Sequence, residues 1–426
     1  MKVLVIGGGG REHALCWKLR QSPQLTELFC APGNPGIAEI ADCVPIAPDD
    51  VQKLADFAQD LKIDLTVVGP ELPLTLGIAD EFERRGLALF GPSREAARLE
   101  GSKVFAKNFM QRQGIPTGGF AVAHDAAAAR QAQQEFGFPV VLKADGLAAG
   151  KGVLIVEDEA AFEDALRELF EERRFGASAD RVLVEEFLVG EEVSFIAMAD
   201  GEHLLPFATS KDYKRIGEND TGPNTGGMGC HSPSEVLDAE TAGKVLEQVM
   251  RPTVAGMAAE GRRYTGFLYA GLILTTAGPK VLEFNARLGD PEAQVLLMRM
   301  EDDLLPLLAS GAQGQFSSRR LGFRKEAAAC IVLASAGYPD SPAKGDPIHG
   351  LDKAREIPGV EVFHAGTASA EDGVVTAGGR VLNVCASAYG LVEALRRAYA
   401  ASREIDWPNK VLRRDIGRRV LASEEA

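Results

Sequence analysis

The sequence predicts a chain of α/β and α+β units. An open parallel sheet domain comes first, a compact α+β lobe and longer strands follow, and a small strand-rich domain closes the C-terminal end. Three observations predict this. Residues 1 to about 100 alternate short apolar runs with helix-like segments, the pattern of a parallel sheet covered by helices on both faces. Residues 120–188 read strand, helix, strand, glycine-rich loop, strand, helix, strand. Finally, the apolar Val281-Leu282 runs directly into Glu283-Phe284-Asn285-Ala286-Arg287-Leu288-Gly289-Asp290-Pro291-Glu292, so polar, charged and chain-bending residues crowd the end of a strand.

In chain order, Lys2–Ile6 is expected as a strand, Glu12–Gln21 as a helix and Leu25–Cys30 as a strand. Val51–Leu61 follows as a helix, Leu65–Val68 as a strand, Leu74–Arg85 as a helix and Ala88–Phe90 as a short strand. Ligands of such sheets bind beyond the carboxyl ends of the strands, where the loops Gly7–Arg11, Pro32–Gly36 and Gly69-Pro70-Glu71 fall. Gly101-Ser102-Lys103 opens the next unit, ahead of a helix over Val104–Gln113. Helices are expected near Ala126–Phe136 and Ala160–Glu171, with strands near Val140–Lys143, Val153–Val156 and Arg181–Glu185. Beyond them come strands Phe267–Thr275 and Lys280–Phe284 and helices Ala239–Glu260 and Glu292–Leu308. The loop Lys211–Ser232 interrupts this stretch, and a loop so long inside a compact domain is usually functional. The expected boundaries are 1–102, 103–320 with a lobe at 120–190, and 321–426, the last holding a helix near Leu391–Ala401.

A chain of 426 residues is long enough for several units around a large buried core. A net charge of −15 argues against a nucleic-acid partner, and no apolar run is long enough to span a membrane. The chain opens on a strand, so no signal peptide is expected. The six cysteines are scattered without a Cys-x-x-Cys pair and read as reduced core residues of a cytoplasmic protein.

Glu283 and Asn285 are two apart on a strand and point to the same face, where their oxygens suit a hard cation such as Mg²⁺. Arg287 continues that face if the strand persists, offering a planar fork to a carboxylate or phosphate. The plainer reading is a strand end followed by a helix, with Asp290 as cap and Pro291 at the first helical position. Gly7-Gly8-Gly9-Gly10-Arg11-Glu12-His13 joins a strand to a helix, where backbone N–H groups can bind an anion. A dinucleotide fingerprint fails there, because Glu12 and His13 stand where its third glycine would be. Gly146-Leu147-Ala148-Ala149-Gly150-Lys151-Gly152 is no Walker loop: only three residues separate its glycines, and Gly152 follows the lysine. It reads as a hairpin folding over nucleotide phosphates, with Lys151 and Lys143 as charges. Glu185-Glu186-Phe187-Leu188 and Glu191-Glu192 border an apolar strand end that can sandwich a base while carboxylates accept from ribose hydroxyls.

Together these segments resemble the ATP-grasp ligases. The resemblance spans essentially the whole chain. Its carriers include Gly9–Ala14, Val68–Glu71, Leu99–Lys103, Lys143–Gly152, Glu185–Leu188, Asp220–Gly229, Arg287–Glu292 and His364–Thr367, of which the Arg287 run is the most specific. It implies a mobile lid lobe at 120–190 and a reaction in which ATP activates glycine as glycyl phosphate for attack by 5-phosphoribosylamine. The alternative is another ATP-grasp carboxylate–amine ligase or a carboxylase. It implies that Glu283 and Asn285 hold Mg²⁺ or Mn²⁺. For ATP it implies Lys103, Lys143, Gly150 and Lys151 at the phosphates and Glu185, Glu186, Phe187, Leu188 and Glu192 at the nucleoside. Gly9, Gly10 and Glu71 would bind the phosphoribosylamine. Asp212, Lys214, Arg215, Arg287, Asp290, Pro291 and Glu292 would complete the substrate pocket, with Arg287, Lys151 and Asp212 as the catalytic set. Tyr213 stands where the family pattern has histidine. No nucleic-acid or membrane partner is implied, and the expected state is a monomer or weak homodimer.

Overall fold

Strands Asp42–Cys43, Glu27–Pro32, Lys2–Gly7, Leu65–Val68 and Leu89–Phe90 pair in that order, all parallel, to form the N-terminal sheet of the computed structural model. The structure describes residues 1–147, 152–174, 176–317 and 320–424. Val3, Leu4, Val5 and Ile6 are wholly buried, as expected for a strand covered on both faces. The strand order reverses about Lys2–Gly7. The carboxyl ends of Lys2–Gly7 and Leu65–Val68 therefore open one crevice, which places Arg11 and Glu71 at its edge. The expected helix over Leu74–Arg85 is two helices, Glu71–Thr75 and Ile78–Arg84, because Gly77 between them takes a left-handed φ of +87°.

The lobe is a four-stranded antiparallel sheet ordered Phe120–Ala123, Val182–Glu186, Val140–Ala144, Val153–Val156. Period-two alternation divides its side chains. Val140, Leu142, Val182 and Val184 pack with Ala129 and Phe162 of the lobe's helices. Val141, Lys143 and Glu185 are left to face the cleft.

A second antiparallel sheet, Leu204–Pro206, Glu191–Asp200, Thr265–Thr275, Gly278–Asn285, carries the most informative run. Its last pairing holds a bulge: Gly271 faces Glu283 and Leu272 faces Val281, so Leu282 is the extra residue. A bulge bends a strand and re-aims the side chains beyond it. The region after it ends differently from expectation. Pro291, not Asp290, is the N-cap of the helix Glu292–Arg299, and the Asp290 side chain turns instead to Arg380 and Gln294. That helix also stops at Arg299. Met300 is extended and bridges Phe323, and Asp303 caps a new helix, Leu304–Ala312.

The C-terminal sheet is ordered Lys211–Asp212, Gly229–Ser232, Ala327–Ala334, Arg380–Ala388, Val360–His364. Its first two strands come from the long loop in the middle of the chain, so the end of the chain is stitched to that loop. Every residue of Ala327–Ala334 is buried. Ala329, Ile331 and Leu333 pack on Leu395 and Ala398, while Ala328, Cys330 and Val332 join Leu15 and Leu296 in a second core. All six cysteines are free; five are buried and Cys43 is exposed. No helix among the described residues is long and apolar enough to cross a membrane.

His13 and His364 seal the joint between the first helix and this sheet. The His364 N–H donates to His13 Nδ1 at 2.8 Å, and the rings lie 5.8 Å apart. Burial, then the neighbouring His364 and Arg355, lowers His13 to about 3; burial and Arg355 lower His364 to about 4. Because both folded values lie below the ordinary 6.5, the unfolded chain binds the extra protons first. Stability is therefore full above pH 6.5 and is lost as pH falls toward 4, by up to ~1.4 kcal/mol per unit for each group. Melting temperatures between pH 7.5 and 5 are expected to fall, and to fall less steeply in His13→Asn. An equal slope in that variant would contradict this account.

Candidate active site

A cleft of about 790 Å³ is lined by residues of the N-terminal sheet, the lobe, the bulged strand and the C-terminal sheet. The re-aimed Glu283 and Asn285 lie on its wall. Burial opposes ionisation of Glu283. Lys214, Lys143, Lys103 and Arg287 outweigh it and hold the carboxyl below the usual range. Among the described residues no side chain hydrogen-bonds or pairs with this carboxylate, and Asn285 Oδ1 accepts from Arg287 Nη2 at 3.2 Å. An ionised oxygen donor with free acceptor capacity, beside an amide oxygen and ringed by cations, fits a Mg²⁺ that takes its remaining ligands from phosphates and water. No cluster of three or more potential ligands exists among the described residues, so protein groups alone would not complete the shell.

The cations have fixed seats. Ser102 caps the helix Lys103–Gln113, accepting from Phe105 N–H at 3.1 Å, and Lys103 Nζ donates to Gly146 O at 2.8 Å. Lys143 Nζ donates to Leu282 O, the carbonyl of the bulge, at 3.2 Å. It also lies 3.1 Å from Glu185 Oε2, which Lys107 approaches at 2.9 Å. Burial alone would raise the Glu185 carboxyl, but the two lysines lower it. Its other oxygen, Oε1, is buried without a partner among the described residues and can accept from a bound ligand. Glu186, Phe187, Leu188 and Glu192 extend this end of the cleft.

At the other end Arg287 is clamped. Its guanidinium lies 3.1 Å from Glu100 and 3.4 Å from Glu71. Glu100 is anchored independently, accepting from Ala286 N–H at 2.6 Å. Burial, opposed by Arg287, brings the Glu100 carboxyl up to about 7. Asp212 and Glu292 face each other nearby. Burial first and then Glu292 push the Asp212 carboxyl well up, and its Oδ1 is buried without a partner among the described residues. Glu292 accepts from Ser194 Oγ at 3.1 Å. This end can seat a small molecule bearing both charges, with a nucleotide's phosphates arriving beside Glu283.

Most of the residues expected from sequence meet here: Lys103, Lys143, Glu185 to Leu188, Glu192, Glu71, Asp212, Lys214, Glu283, Asn285, Arg287, Asp290 and Glu292 all line the cleft. Four do not. The Gly9 N–H donates to the Glu12 carboxylate at 2.6 Å, so the first helix caps itself. Gly10 is packed beneath Asn383 and Gln294. Arg215 turns away, donating to Gly222 O at 2.7 Å. Pro291 packs against Gly227. Gly150 and Lys151 lie outside the described residues. Tyr213 also leaves the cleft. Its hydroxyl accepts from Gly417 N–H at 3.1 Å, and its ring lies under Arg413 in the C-terminal core.

Sequence reasoning missed Lys107, Glu100, Arg11, Tyr338 and Arg380 as cleft residues. Lys107 follows Lys103 by four on one helix, a spacing that shares a face and was legible. Glu100 and Arg11 sat inside quoted motifs. Tyr338 and Arg380 carry no local signal.

Comparison with known proteins fits this site. Residues 1–100 match the model of the phosphoribosylglycinamide synthetase N domain, 101–293 its ATP-grasp (A) domain, and 328–419 its C domain. The chain is 49% identical to the phosphoribosylamine–glycine ligase of Mesorhizobium japonicum over 426 residues, all of both chains. It is likewise 49% identical to that of Escherichia coli over 429 residues, all of both chains. The crystal structure of phosphoribosylamine–glycine ligase from Thermotoga maritima superposes with a TM-score of 0.84 at 35% identity, covering 97% of this chain and 100% of that one. A biotin carboxylase from Campylobacter jejuni shares the fold, with a TM-score of 0.75 at 16% identity over 96% of this chain and 92% of that one.

Proposed function

The chain belongs to the phosphoribosylglycinamide synthetase family, and from that premise we infer how its cleft works. It is an ATP-grasp carboxylate–amine ligase. It joins glycine to 5-phosphoribosylamine, through glycyl phosphate, to give glycinamide ribonucleotide, ADP and phosphate in purine biosynthesis. The observation that carries the site assignment is the ionised Glu283, without a hydrogen-bonded partner among the described residues and ringed by Lys103, Lys143, Lys214 and Arg287. Phosphoryl transfer needs positioning and charge neutralisation more than covalent catalysis, and this is such an environment.

In this reading the N-terminal unit, 1–102, carries the phosphoribosylamine side, 103–320 carries ATP, and 321–426 completes the substrate wall. Glu283 and Asn285 hold Mg²⁺ or Mn²⁺, which when bound neutralises phosphate oxygens. Lys103 and Lys143, with Lys151, neutralise the transferring group. Glu185 Oε1 and the segment through Leu188 receive the base, and Glu192 the ribose. A glycine carboxylate oxygen attacks the γ-phosphorus while the bond to the ADP oxygen breaks. The amine nitrogen then attacks the acyl carbon, the C–O bond to phosphate breaks, and the amine gives up one proton as phosphate leaves. Arg287 offsets charge on the carboxylate and then on the acyl phosphate. Asp212 and Glu292 face the ammonium of glycine. The enzyme is cytoplasmic in this reading, a monomer or weak homodimer.

ADP release tests it directly, with ATP, Mg²⁺ and glycine, with and without phosphoribosylamine generated in place from ribose 5-phosphate and ammonia. Release is expected to require both glycine and the amine. Release indifferent to glycine, or none at all, would reject the substrate assignment.

A further inference from the structure

We propose that Arg380, reaching in from the C-terminal sheet, is a positioning residue for the substrate half of the cleft and not for its ATP half. The inference rests on the ligase reading given above. Arg380 begins the strand Arg380–Ala388 and stands 90 residues beyond Asp290 in the chain. Its Nη2 lies 2.8 Å from Asp290 Oδ2, and its Nη1 donates to the carbonyls of Asp290 and Gly226. One guanidinium thus ties together the run Arg287–Glu292 and the loop Asn224–Gly227.

At Gly226 this loop is held from the C-terminal unit. The Gly226 N–H donates to the Tyr338 hydroxyl at 3.0 Å, so both polar groups of its backbone are held by side chains of the C-terminal unit. A Cβ on Gly226 would lie 2.8 Å from the guanidinium carbon, which shows how closely the planar group sits on bare backbone. From Gly226 the order passes onward. Gly227 N–H donates to Thr225 Oγ1 at 3.0 Å, and Thr225 Oγ1 donates to Lys214 O at 2.7 Å. A Cβ on Gly227 would meet Asp212 Oδ1 at 2.7 Å. On the other branch, Asp290 accepts from Gln294 Nε2 at 2.7 Å and lies between Arg287 and Glu292 in sequence. Asp212, Lys214, Arg287 and Glu292, the groups that face the small substrates, lie in or beside the two segments that Arg380 joins. Lys103, Lys143, Glu185, Glu283 and Asn285 have no hydrogen bond or ion pair to Arg380.

A planar fork is needed because two carbonyls and a carboxylate must be bonded at once, and a lysine ammonium at the end of a flexible stem cannot span them. The consequence is a split between substrates. Arg380→Ala is expected to raise the KM for glycine and for phosphoribosylamine by at least tenfold. The affinity for the non-hydrolysable AMP-PNP with Mg²⁺, read by calorimetry, should stay within twofold of the wild type. Arg380→Lys should recover only part of the loss, and millimolar methylguanidine should restore activity to Arg380→Ala but not to Arg380→Lys. A folded Arg380→Ala with unchanged KM values would overturn the inference. So would an equal loss of nucleotide affinity, which marks a merely structural role, or failure of methylguanidine to rescue. The wild type is assayed in parallel: loss of glycine dependence there would sink the ligase reading itself, a result separate from any of these.

Discussion

Glu283→Gln is expected to lower ATP turnover by about 10²- to 10³-fold, the cost of removing one group placed where transition-state charge develops. The substitution preserves shape and one oxygen acceptor, and it removes a negative charge on which Lys103, Lys143, Lys214 and Arg287 all act. Two effects then add. A metal that Glu283 and Asn285 would hold loses its anionic protein ligand. The lysines, no longer opposed, also shift toward whichever carboxylates remain. The fold should survive, because Glu283 has no hydrogen-bonded partner among the described residues to leave behind; circular dichroism and melting would confirm this. Raising Mg²⁺ should recover part of the lost rate if metal affinity is the main loss. Turnover near that of the wild type would remove Glu283 from the metal site.

Arg287→Met should be damaging in a different way, with activity and stability falling together. The guanidinium separates Glu100 from Glu71, and Glu100 is 8% exposed. Removing one partner of a buried ion pair leaves uncompensated charge and costs about 3 kcal/mol. The sign of the pH dependence is a sharper test. Glu100 is already brought up to about 7 by burial despite Arg287, and loss of the cation must raise it further. A carboxyl whose folded value exceeds its unfolded value binds its proton more tightly when folded. Its contribution therefore declines as pH rises from about 4.5 toward the folded value. The variant should accordingly be more stable, relative to wild type, at pH 6 than at pH 8. Adding Glu100→Gln should restore most of the stability and none of the activity. If the double variant is no more stable than Arg287→Met, Glu100 is not the group that suffers.

Much of the site was legible because its parts lie close together in the chain. Glu283 and Asn285 share one strand end, where period-two geometry puts their oxygens on one face, and Arg287 follows two residues beyond it. Lys103 follows a serine cap that marks a helix start. The helix start after Asp290 was misjudged for a reason distant in the chain. Asp290 is a good cap by composition, but Arg380 offered its carboxylate a charged partner, and a charge-assisted bond outweighs a cap. At Tyr213 the departure from the family pattern looked as though it bore on substrate. The side chain is instead spent on packing against Arg413 and His231.

Legible in the chain were the alternation that makes a parallel sheet, a compact α+β lobe, the strand proposed to carry the metal ligands and the family chemistry, because each is written within a few consecutive residues. Only the tertiary structure decided that Glu100 and Glu71 share one arginine, that Lys107 and Lys143 share one carboxylate, and that Arg380 closes the substrate end from nearly a hundred residues away. The physical reason is that burial and pairing energies depend on distance in space. A strand from residue 229 seated beside one from residue 327 brings together charges that no local pattern relates.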